Sequence, residues 1–189
     1  MFELINKNTC KIIDNLSDRR YLNELAEITK IKSKNNLLKN LRNLSKANVI
    51  IIEKNRSNTF YSLNYNNPLT IAILNLINMF KFDKLPFDKK SSVLEIVSDL
   101  KPLIAILFGS TAKLNYSKGS DIDILIVTDD NINYKEKIRE FSEQYGVKIN
   151  PILISIQDFE KKDESLIHIL KTGYPLTGEI FFYNELKKI

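Results

Sequence analysis

Two aspartates separated by one residue, Asp121 and Asp123, are the side chains in this sequence best suited to act together in chemistry. They stand at the start of an apolar run, residues 122 to 127, whose pattern predicts a β-strand with both carboxylates on one face. Neighbouring carboxylates repel each other unless a cation lies between them. A divalent metal held by oxygen ligands and completed by nucleotide phosphates is the usual reason for such a pair.

A glycine and a serine follow the preceding apolar run and predict a phosphate site. Leu103 to Phe108 carries no charge and has the length of a buried strand. Gly109 then allows the backbone to pass close to a ligand, and Ser110 adds a hydroxyl near the start of a short helix expected after Thr111. The phosphate site and the carboxylate pair therefore lie at the ends of two neighbouring predicted strands.

The spacing of these residues resembles the GSxAx(7)SDxD signature of the DNA polymerase beta-like nucleotidyltransferase superfamily. The signature is carried by Gly109, Ser110, Ala112, Ser120, Asp121 and Asp123. The likeness is greatest to the minimal, stand-alone prokaryotic branch of this superfamily and extends from about residue 89 to the C-terminus. It implies an α+β fold in which a mixed β-sheet is flanked by helices.

The resemblance also implies a reaction and a role for each site residue. A nucleoside monophosphate would pass from a nucleoside triphosphate to a hydroxyl of a protein or nucleic acid, with loss of pyrophosphate. Asp121 and Asp123 would be the catalytic residues and would hold Mg²⁺. The nucleotide-binding set would be Gly109, Ser110, Lys113 and Ser120. Lys113 stands where the family often has arginine, and Leu114 where it usually has glycine.

One departure from the family bears on activity. Active members carry a third carboxylate on the next strand, which acts with the metals and as a base for the incoming hydroxyl. The corresponding predicted strand here, residues 147 to 155, has Asn150 and no carboxylate, and Asp158 lies just beyond it. Two functions therefore stay open: a metal-dependent nucleotidyltransferase, or a non-enzymatic transcriptional regulator whose degenerate domain binds nucleotide or a partner.

The charge is unevenly divided and predicts two domains. The 189 residues carry a net charge of +5. Residues 1 to 65 hold 12 Lys and Arg against 6 Asp and Glu, a net of +6, and the remainder is close to neutral. We expect a basic domain over residues 1–65 that meets a polyanion, a linker or interface helix over 66–88, and the nucleotidyltransferase-like domain over 89–189.

The composition also bears on location. A single cysteine excludes an internal disulfide, and no stretch approaches the roughly 20 apolar residues of a membrane span. The first residues have no basic segment leading into an apolar core, so we expect no signal peptide. A cytoplasmic protein without membrane contact is the expectation.

The first 65 residues resemble a winged helix-turn-helix domain of the prokaryotic regulator type. Helical spacing is found over residues 1–15, 21–29 and 34–47, and Ser33 is a suitable N-cap for the third helix. Two short strands, residues 49–53 and 59–63, predict a β-hairpin.

The predicted third helix has an exposed face suited to the major groove of double-stranded DNA. Asparagine can pair with adenine, and lysine can contact guanine or phosphate. The predicted DNA-binding residues are Lys34, Asn35, Asn36, Lys39, Asn40 and, at the tip of the wing, Arg56. The alternative is a solvated helix face in a domain that mediates only dimer contacts.

Two protein partners are expected. A helix predicted over residues 69–82 is apolar around its whole circumference and must be covered, either between the two domains or against its copy in a dimer. A homodimer is favoured because the helix has more apolar surface than one side can bury and a single winged helix reads only a short DNA site. Small members of the family are often the antitoxin half of a two-component system, so the resemblance also implies a HEPN-type toxin as partner.

Overall fold

The structure is a computed structural model and describes residues 4–56, 58–117, 119–129 and 134–189. It divides the chain into two compact units, Met1–Ile77 and Asn78–Ile189. Each unit has its own apolar core and is described by itself. The division falls inside the segment 66–88, which the sequence analysis assigned to a linker.

In its described residues, the first unit contains three complete helices, a small antiparallel sheet and the first part of a fourth helix. The helices are α1 (Lys7–Asp14), α2 (Leu22–Thr29) and α3 (Lys34–Lys46), and the strands are β1 (Arg20–Tyr21), β2 (Ile50–Lys54) and β3 (Thr59–Leu63). The strand order is β1-β3-β2. Helices α2 and α3 and the hairpin of β2 and β3 lie where the sequence predicted them. Strand β1 was not predicted because two residues carry no periodicity.

Helix α1 begins later than the sequence predicted. The Asn6 side chain accepts hydrogen bonds from the backbone N–H groups of Asn8 and Thr9, and the Thr9 hydroxyl accepts from the backbone N–H of Asn6. With this reciprocal cap the helix begins after Asn6, because the cap satisfies backbone amides that have no partner inside the helix. The predicted start at Met1 lies outside the described residues.

The apolar stripe of α3 forms the centre of the first core. Leu37, Leu41 and Leu44 are buried, and Leu38 is half-buried. As predicted, Ser33 caps the helix by accepting a hydrogen bond from the backbone N–H of Asn36 at 3.2 Å. The spacing of three and four residues between the buried leucines leaves most polar side chains of α3 on the opposite side, and Asn40 is the exception among them.

The apolar helix predicted over 69–82 is α4 (Pro68–Asp83). Ile73 and Ile77 belong to the first core, whereas Met79 and Phe80 are exposed, at 68% and 59%. The homodimer that would cover them stays a prediction. Across the described ranges, no helix is long and apolar enough to cross a membrane.

In the residues that the structure describes, the second unit contains a four-stranded mixed sheet and flanking helices. Its helices are α5 (Phe87–Leu100), α6 (Gly109–Ala112), α7 (Tyr134–Tyr145), α8 (Ile156–Lys161), α9 (Glu164–Thr172) and α10 (Glu179–Leu186). Its strands are β4 (Ile104–Phe108), β5 (Ile122–Val127), β6 (Ile149–Ile154) and β7 (Tyr174–Thr177). The predicted mixed sheet with flanking helices is confirmed.

The order β6-β5-β4-β7 places the strand that bears the aspartates near the centre of the sheet. Strand β5 pairs antiparallel with β4 and parallel with β6, and α7 connects the parallel pair. Strands β4 and β5 are buried almost throughout, and Val93 and Ile96 of α5 belong to the same core. The core therefore holds both strands rigidly while their ends reach the surface.

The second unit differs from the prediction in its short elements. Helix α6 begins at Gly109 itself, directly after β4, and not after Thr111 as predicted. Helices α8 and α10 were not predicted, because α8 has only six residues and the apolar side chains of α10 form no stripe on one face. Strand β6 begins at Ile149, two residues later than predicted.

Candidate functional site

Gly109 lies against one of the two aspartates, in a position that no other residue type fits. Phe108, the last residue of β4, pairs with Asp123 on β5, and Gly109 follows with φ +73°. A Cβ atom on Gly109 would lie 2.1 Å from Oδ2 of Asp123. Glycine is therefore needed at this position for two reasons: the backbone is left-handed, and the Asp123 carboxylate leaves no room for a Cβ atom.

Hydrogen bonds fix the segment between α6 and β5, one from α6 to the residue before β5 and others within the segment. The buried Thr111 hydroxyl donates to the backbone carbonyl of Asp121 at 3.0 Å. The backbone N–H of Ser117 donates to the Ser120 hydroxyl at 2.9 Å, and the two hydroxyls lie 3.0 Å apart. Ser120, predicted to bind nucleotide, thus closes a turn in this structure, and Lys113 is exposed just after α6.

Leu114 adopts φ +56°, a left-handed conformation that glycine adopts readily, and glycine is the residue that the resemblance leads one to expect here. A left-handed conformation costs an L-residue about 1–2 kcal/mol. Leu114 offsets part of this strain because its side chain packs against the core of the second unit. The turn therefore forms with leucine at a position where glycine was expected.

Asp121 and Asp123 lie on one face, as the strand pattern predicted, and Asn150 lies beside them. The parallel register of β5 and β6 pairs Asp123 with Asn150. The Asn150 amide donates to Oδ2 of Asp121 at 3.1 Å and to Oδ1 of Asp123 at 3.3 Å. Asn150 thus occupies the place that the resemblance assigns to a third carboxylate.

A lysine also contacts this group. Nζ of Lys148 lies 2.6 Å from Oδ2 of Asp121. The hydrogen bond from Lys148 holds the pKa of the Asp121 carboxyl below its ordinary value, although partial burial of Asp121 opposes the shift. Asp121 is therefore an anion at neutral pH, with a cation already beside it.

Lys89 is a site residue that the sequence analysis missed. It is buried on α5, its ammonium donates to the backbone carbonyl of Ser120, and it lies 5.3 Å from the centre of the Tyr116 ring. Its charge also lowers the pKa of Asp121. The 31 residues between Lys89 and Ser120 explain why no local pattern indicated this contact.

The residues present provide oxygen ligands for one divalent ion. Across the described ranges, no group of three or more His, Cys, Asp or Glu side chains could hold a metal. Two carboxylates are available, and rotation of the Asn150 amide by 180° would add Oδ1 as a third oxygen. The set fits Mg²⁺ once Lys148 releases Asp121. Asp158 bonds to Ser155 and Lys161 instead.

The predicted DNA-binding face of α3 is largely exposed, with one correction. Lys34, Asn35, Asn36 and Lys39 are exposed, as is Arg56 in the hairpin turn, of which Ser57 lies outside the described residues.

Asn40, in contrast, is buried, with 6% of its surface exposed. Its amide nitrogen donates to Oδ1 and to the backbone carbonyl of Asn36, and its Oδ1 accepts from Asn6. The prediction that Asn40 lies on the exposed face is therefore wrong, because the start of α1 covers it.

The same contact creates a polar cleft in the first unit that the sequence did not indicate. It has a volume of about 600 Å³. Its lining consists of amide and ammonium side chains from α1, its cap and α3: Asn6, Lys7, Asn8, Asn36, Lys39, Asn40 and Asn43. The start of α1 thus adds polar groups beside the face of α3 that was predicted to bind DNA.

The chain is similar to proteins of several kinds. It is 47% identical over 71 residues to MJ0604 of Methanocaldococcus jannaschii, named for protein adenylyltransferase activity, covering 36% of this chain and 71% of MJ0604. MJ1305 of the same organism, with the same kind of name, is 32% identical over 95 residues, covering 44% of this chain and 65% of MJ1305. Midasin of Dictyostelium discoideum is 30% identical over 141 residues, covering 68% of this chain but 2% of midasin.

The chain is also similar to a solved structure and to a family model. The structure, titled as a toxin-antitoxin with AMP-PNP, has a TM-score of 0.40 and 16% identity and covers 52% of this chain and 83% of its own. The family model described as "Polymerase beta, Nucleotidyltransferase" matches residues 92–179, which include Gly109, Asp121, Asp123 and Asn150. With this match and the 71% coverage of MJ0604, the chain belongs to the polymerase beta nucleotidyltransferase family.

Proposed function

We propose that the second unit transfers a nucleoside monophosphate from a nucleoside triphosphate to a hydroxyl group. The convergence of Asp121, Asp123 and Asn150 beside Gly109 is the observation that carries this proposal. The names of the two Methanocaldococcus jannaschii relatives favour ATP as the donor and a protein as the acceptor. A nucleic acid hydroxyl is the other acceptor that the chemistry allows.

The reaction joins the acceptor oxygen to the α-phosphorus and breaks the bond between that phosphorus and pyrophosphate. In the proposal, the backbone at Gly109 and Ser110 binds the phosphates, and Lys113, exposed after α6, adds a positive charge. Asp121 and Asp123 would hold Mg²⁺, which when bound would offset phosphate charge and orient the donor. Thr111 and Lys89 position the backbone on either side of Asp121.

The acceptor proton has no carboxylate at the position of Asn150 to receive it. An amide cannot take up a proton at neutral pH, and general-base assistance typically contributes about 10²- to 10⁴-fold. In this proposal the proton therefore passes to solvent or to a group on the acceptor. Slow transfer follows from that arrangement.

The test uses the full chain, α-labelled nucleoside triphosphates and candidate acceptors, with and without Mg²⁺. We expect labelled acceptor with the wild type and none with Asp121→Asn/Asp123→Asn, which keeps the shape of both side chains and removes their charge. Calorimetry on the same variants separates loss of binding from loss of transfer. Nucleotide binding that survives loss of both aspartates would remove the metal role assigned to them.

We further propose that the first unit is a winged helix that binds double-stranded DNA. The support is its net charge of +6 and the exposed Lys34, Asn35, Asn36 and Lys39 on one helix. The buried Asn40 is excluded from this set, and Arg56 remains in it as a contact from the hairpin. Fluorescence anisotropy with duplex DNA at several salt concentrations tests binding, and salt-independent binding would contradict an electrostatic interface.

A second candidate function is regulation without catalysis, in which the site binds nucleotide or a partner and the first unit acts on DNA. The contacts of Asp121 favour it, since an ammonium and an amide already satisfy this carboxylate. A transfer assay that stays negative while calorimetry shows nucleotide binding would select this function.

The homodimer and the HEPN-type toxin both remain predictions of the sequence. Light scattering at micromolar concentration tests the first, and a monomer would contradict it. Co-expression with a HEPN-type protein encoded nearby, followed by co-purification, tests the second. Recovery of the chain alone would remove the antitoxin role.

A further inference from the structure

Two hydrogen-bond donors from one strand edge converge on a single oxygen of Asp121. Nζ of Lys148 lies 2.6 Å from Oδ2, and Nδ2 of Asn150 lies 3.1 Å from the same atom. Lys148 and Asn150 are two residues apart, so the strand geometry puts their side chains on one face. Oδ2 of Asp121 is therefore held by a charged donor and a neutral donor at once.

The backbone fixes where the lysine side chain starts. The backbone N–H of Ile122 donates to the carbonyl of Lys148 at 2.8 Å, so Lys148 is pinned to the residue between the two aspartates. The flexible part is the side chain itself, which is 72% exposed, whereas that of Asp121 is 28% exposed. Lys148 can therefore leave Asp121 and enter solvent without any movement of the sheet.

An ammonium group and a divalent cation compete for the same carboxylate. A metal between the two aspartates needs an oxygen of Asp121 as a ligand, and two cations at that distance repel each other. An exposed ion pair is weak, worth about a fivefold change in an equilibrium constant or less. The ion pair between Lys148 and Asp121 therefore forms when no metal is present, and it is weak enough for a metal to displace the lysine.

We propose that Lys148 is a resident, displaceable counter-ion that competes with divalent metal for Asp121. In the nucleotide-free protein it neutralises the carboxylate and lowers the affinity of the site for metal. When a metal–nucleotide complex binds, the Lys148 ammonium moves off Asp121 and becomes free to meet a phosphate oxygen. The proposal rests on the proposed function in one respect only, that a divalent metal binds at the aspartates.

The test measures metal binding directly, in the full chain and without nucleotide. Electron paramagnetic resonance of free Mn²⁺ gives the dissociation constant for the wild type and for Lys148→Met, which keeps the length of the side chain and removes its charge. We expect Lys148→Met to bind Mn²⁺ more tightly, by up to about fivefold. Lys148→Arg, which retains the cation, should stay close to the wild type.

The matched control is Lys137→Met, which removes one exposed positive charge on α7. Equal tightening in Lys137→Met and Lys148→Met would overturn the inference, since the effect would then be one of net charge. Unchanged Mn²⁺ affinity in Lys148→Met would also overturn it, and intact nucleotide transfer in that variant would leave the proposed function standing. Absence of Mn²⁺ binding in every variant would overturn both the inference and the metal role of the aspartates.

Discussion

The two units have cores of similar composition but arrange their charges in opposite ways. In Met1–Ile77 the net charge is +6, and the lysines of α3 face outward from a core of leucine and isoleucine. In Asn78–Ile189 the net charge is −1, and the charged groups of interest converge where β4 ends and β5 begins.

The difference separates a surface from a site. A dispersed face of lysine and asparagine suits a long polyanion, which is bound by the sum of many weak contacts. A converged pair of carboxylates suits one small ligand, because each atom must lie within a few tenths of an ångström of its place. Single substitutions should therefore have small effects in the first unit and large effects in the second.

The largest effect is expected at Gly109. Gly109→Ala places a methyl group 2.1 Å from Oδ2 of Asp123 at φ +73°, so the carboxylate must move. We expect nucleotide affinity to fall by about 100-fold or more, and stability to fall by about 1–3 kcal/mol, measured by calorimetry and denaturant unfolding.

Gly146→Ala is the matched control for this change. Gly146 has φ +62°, and an added Cβ atom would meet nothing within 4 Å. The control should lose about 1 kcal/mol of stability from backbone strain and keep its nucleotide affinity. Equal loss of affinity in both variants would show that Gly109 does not act through Asp123.

Asn150→Asp should increase the rate of nucleotide transfer and make folding stability depend on metal. A carboxylate at this position could take up the acceptor proton and act as a third oxygen ligand, so transfer should rise by about tenfold or more in the labelled-nucleotide assay. Its thermal midpoint without metal should fall through repulsion by Asp121 and Asp123, and Mn²⁺ should restore it.

Asn184→Asp, which adds the same charge on the exposed side of α10, is the control and should change neither property. A transfer rate that stays at the wild-type level in Asn150→Asp would argue against catalysis by this unit.

The face of α3 that we propose to bind DNA should respond in smaller steps. Lys34→Ala/Lys39→Ala removes two exposed charges from α3, and we expect DNA affinity to fall about tenfold at low salt. The slope of log affinity against log salt should decrease by about two, because two phosphate contacts are lost. Lys135→Ala/Lys137→Ala on α7 removes the same charge from the second unit, and an equal loss there would contradict a specific interface.

The smallest effect concerns pH. The hydrogen bond from Lys148 lowers the pKa of Asp121 below its ordinary value. The ionised Asp121 carboxylate therefore contributes fully to folding stability above about pH 4, and this contribution is lost as the pH falls through the folded-state pKa. Lys148→Met should return the pKa toward its ordinary value, and acid unfolding should begin at a slightly higher pH. Carboxyl NMR titration measures the first change and circular dichroism the second. An unchanged titration would show that the 2.6 Å contact does not persist in solution.

Local patterns predicted the parts of the molecule that depend on neighbours in sequence. The leucines of α3 recur with the period of a helix, and β4 and β5 are short continuous apolar runs of the kind that strands buried on both faces have, so burial follows from the chain alone. The shared face of Asp121 and Asp123 follows from the two-residue repeat of a strand in the same way. Helix α8 was not predicted because it is too short to show a period, and α10 because its apolar side chains form no stripe on one face.

Contacts between distant segments were beyond any such pattern. Asn40 has the type and spacing of an exposed helical residue, yet Asn6, 34 positions earlier, helps to bury it. Lys89 resembles an ordinary surface lysine of α5 until the fold brings the carbonyl of Ser120 onto its ammonium.

The sequence by itself determined the chemistry available to this protein: a carboxylate pair, a glycine-serine turn, a basic first unit and no third carboxylate on the next strand. Tertiary structure decided which groups meet, because the parallel register of β5 and β6 places Asn150 and Lys148 on Asp121 from 27 and more residues away. Register depends on how the whole sheet packs, and a shift of one residue would have turned both side chains to the other face. The residue types therefore follow from the sequence, whereas the contact of Lys148 with Asp121, on which the proposed competition with a metal rests, follows only from the fold.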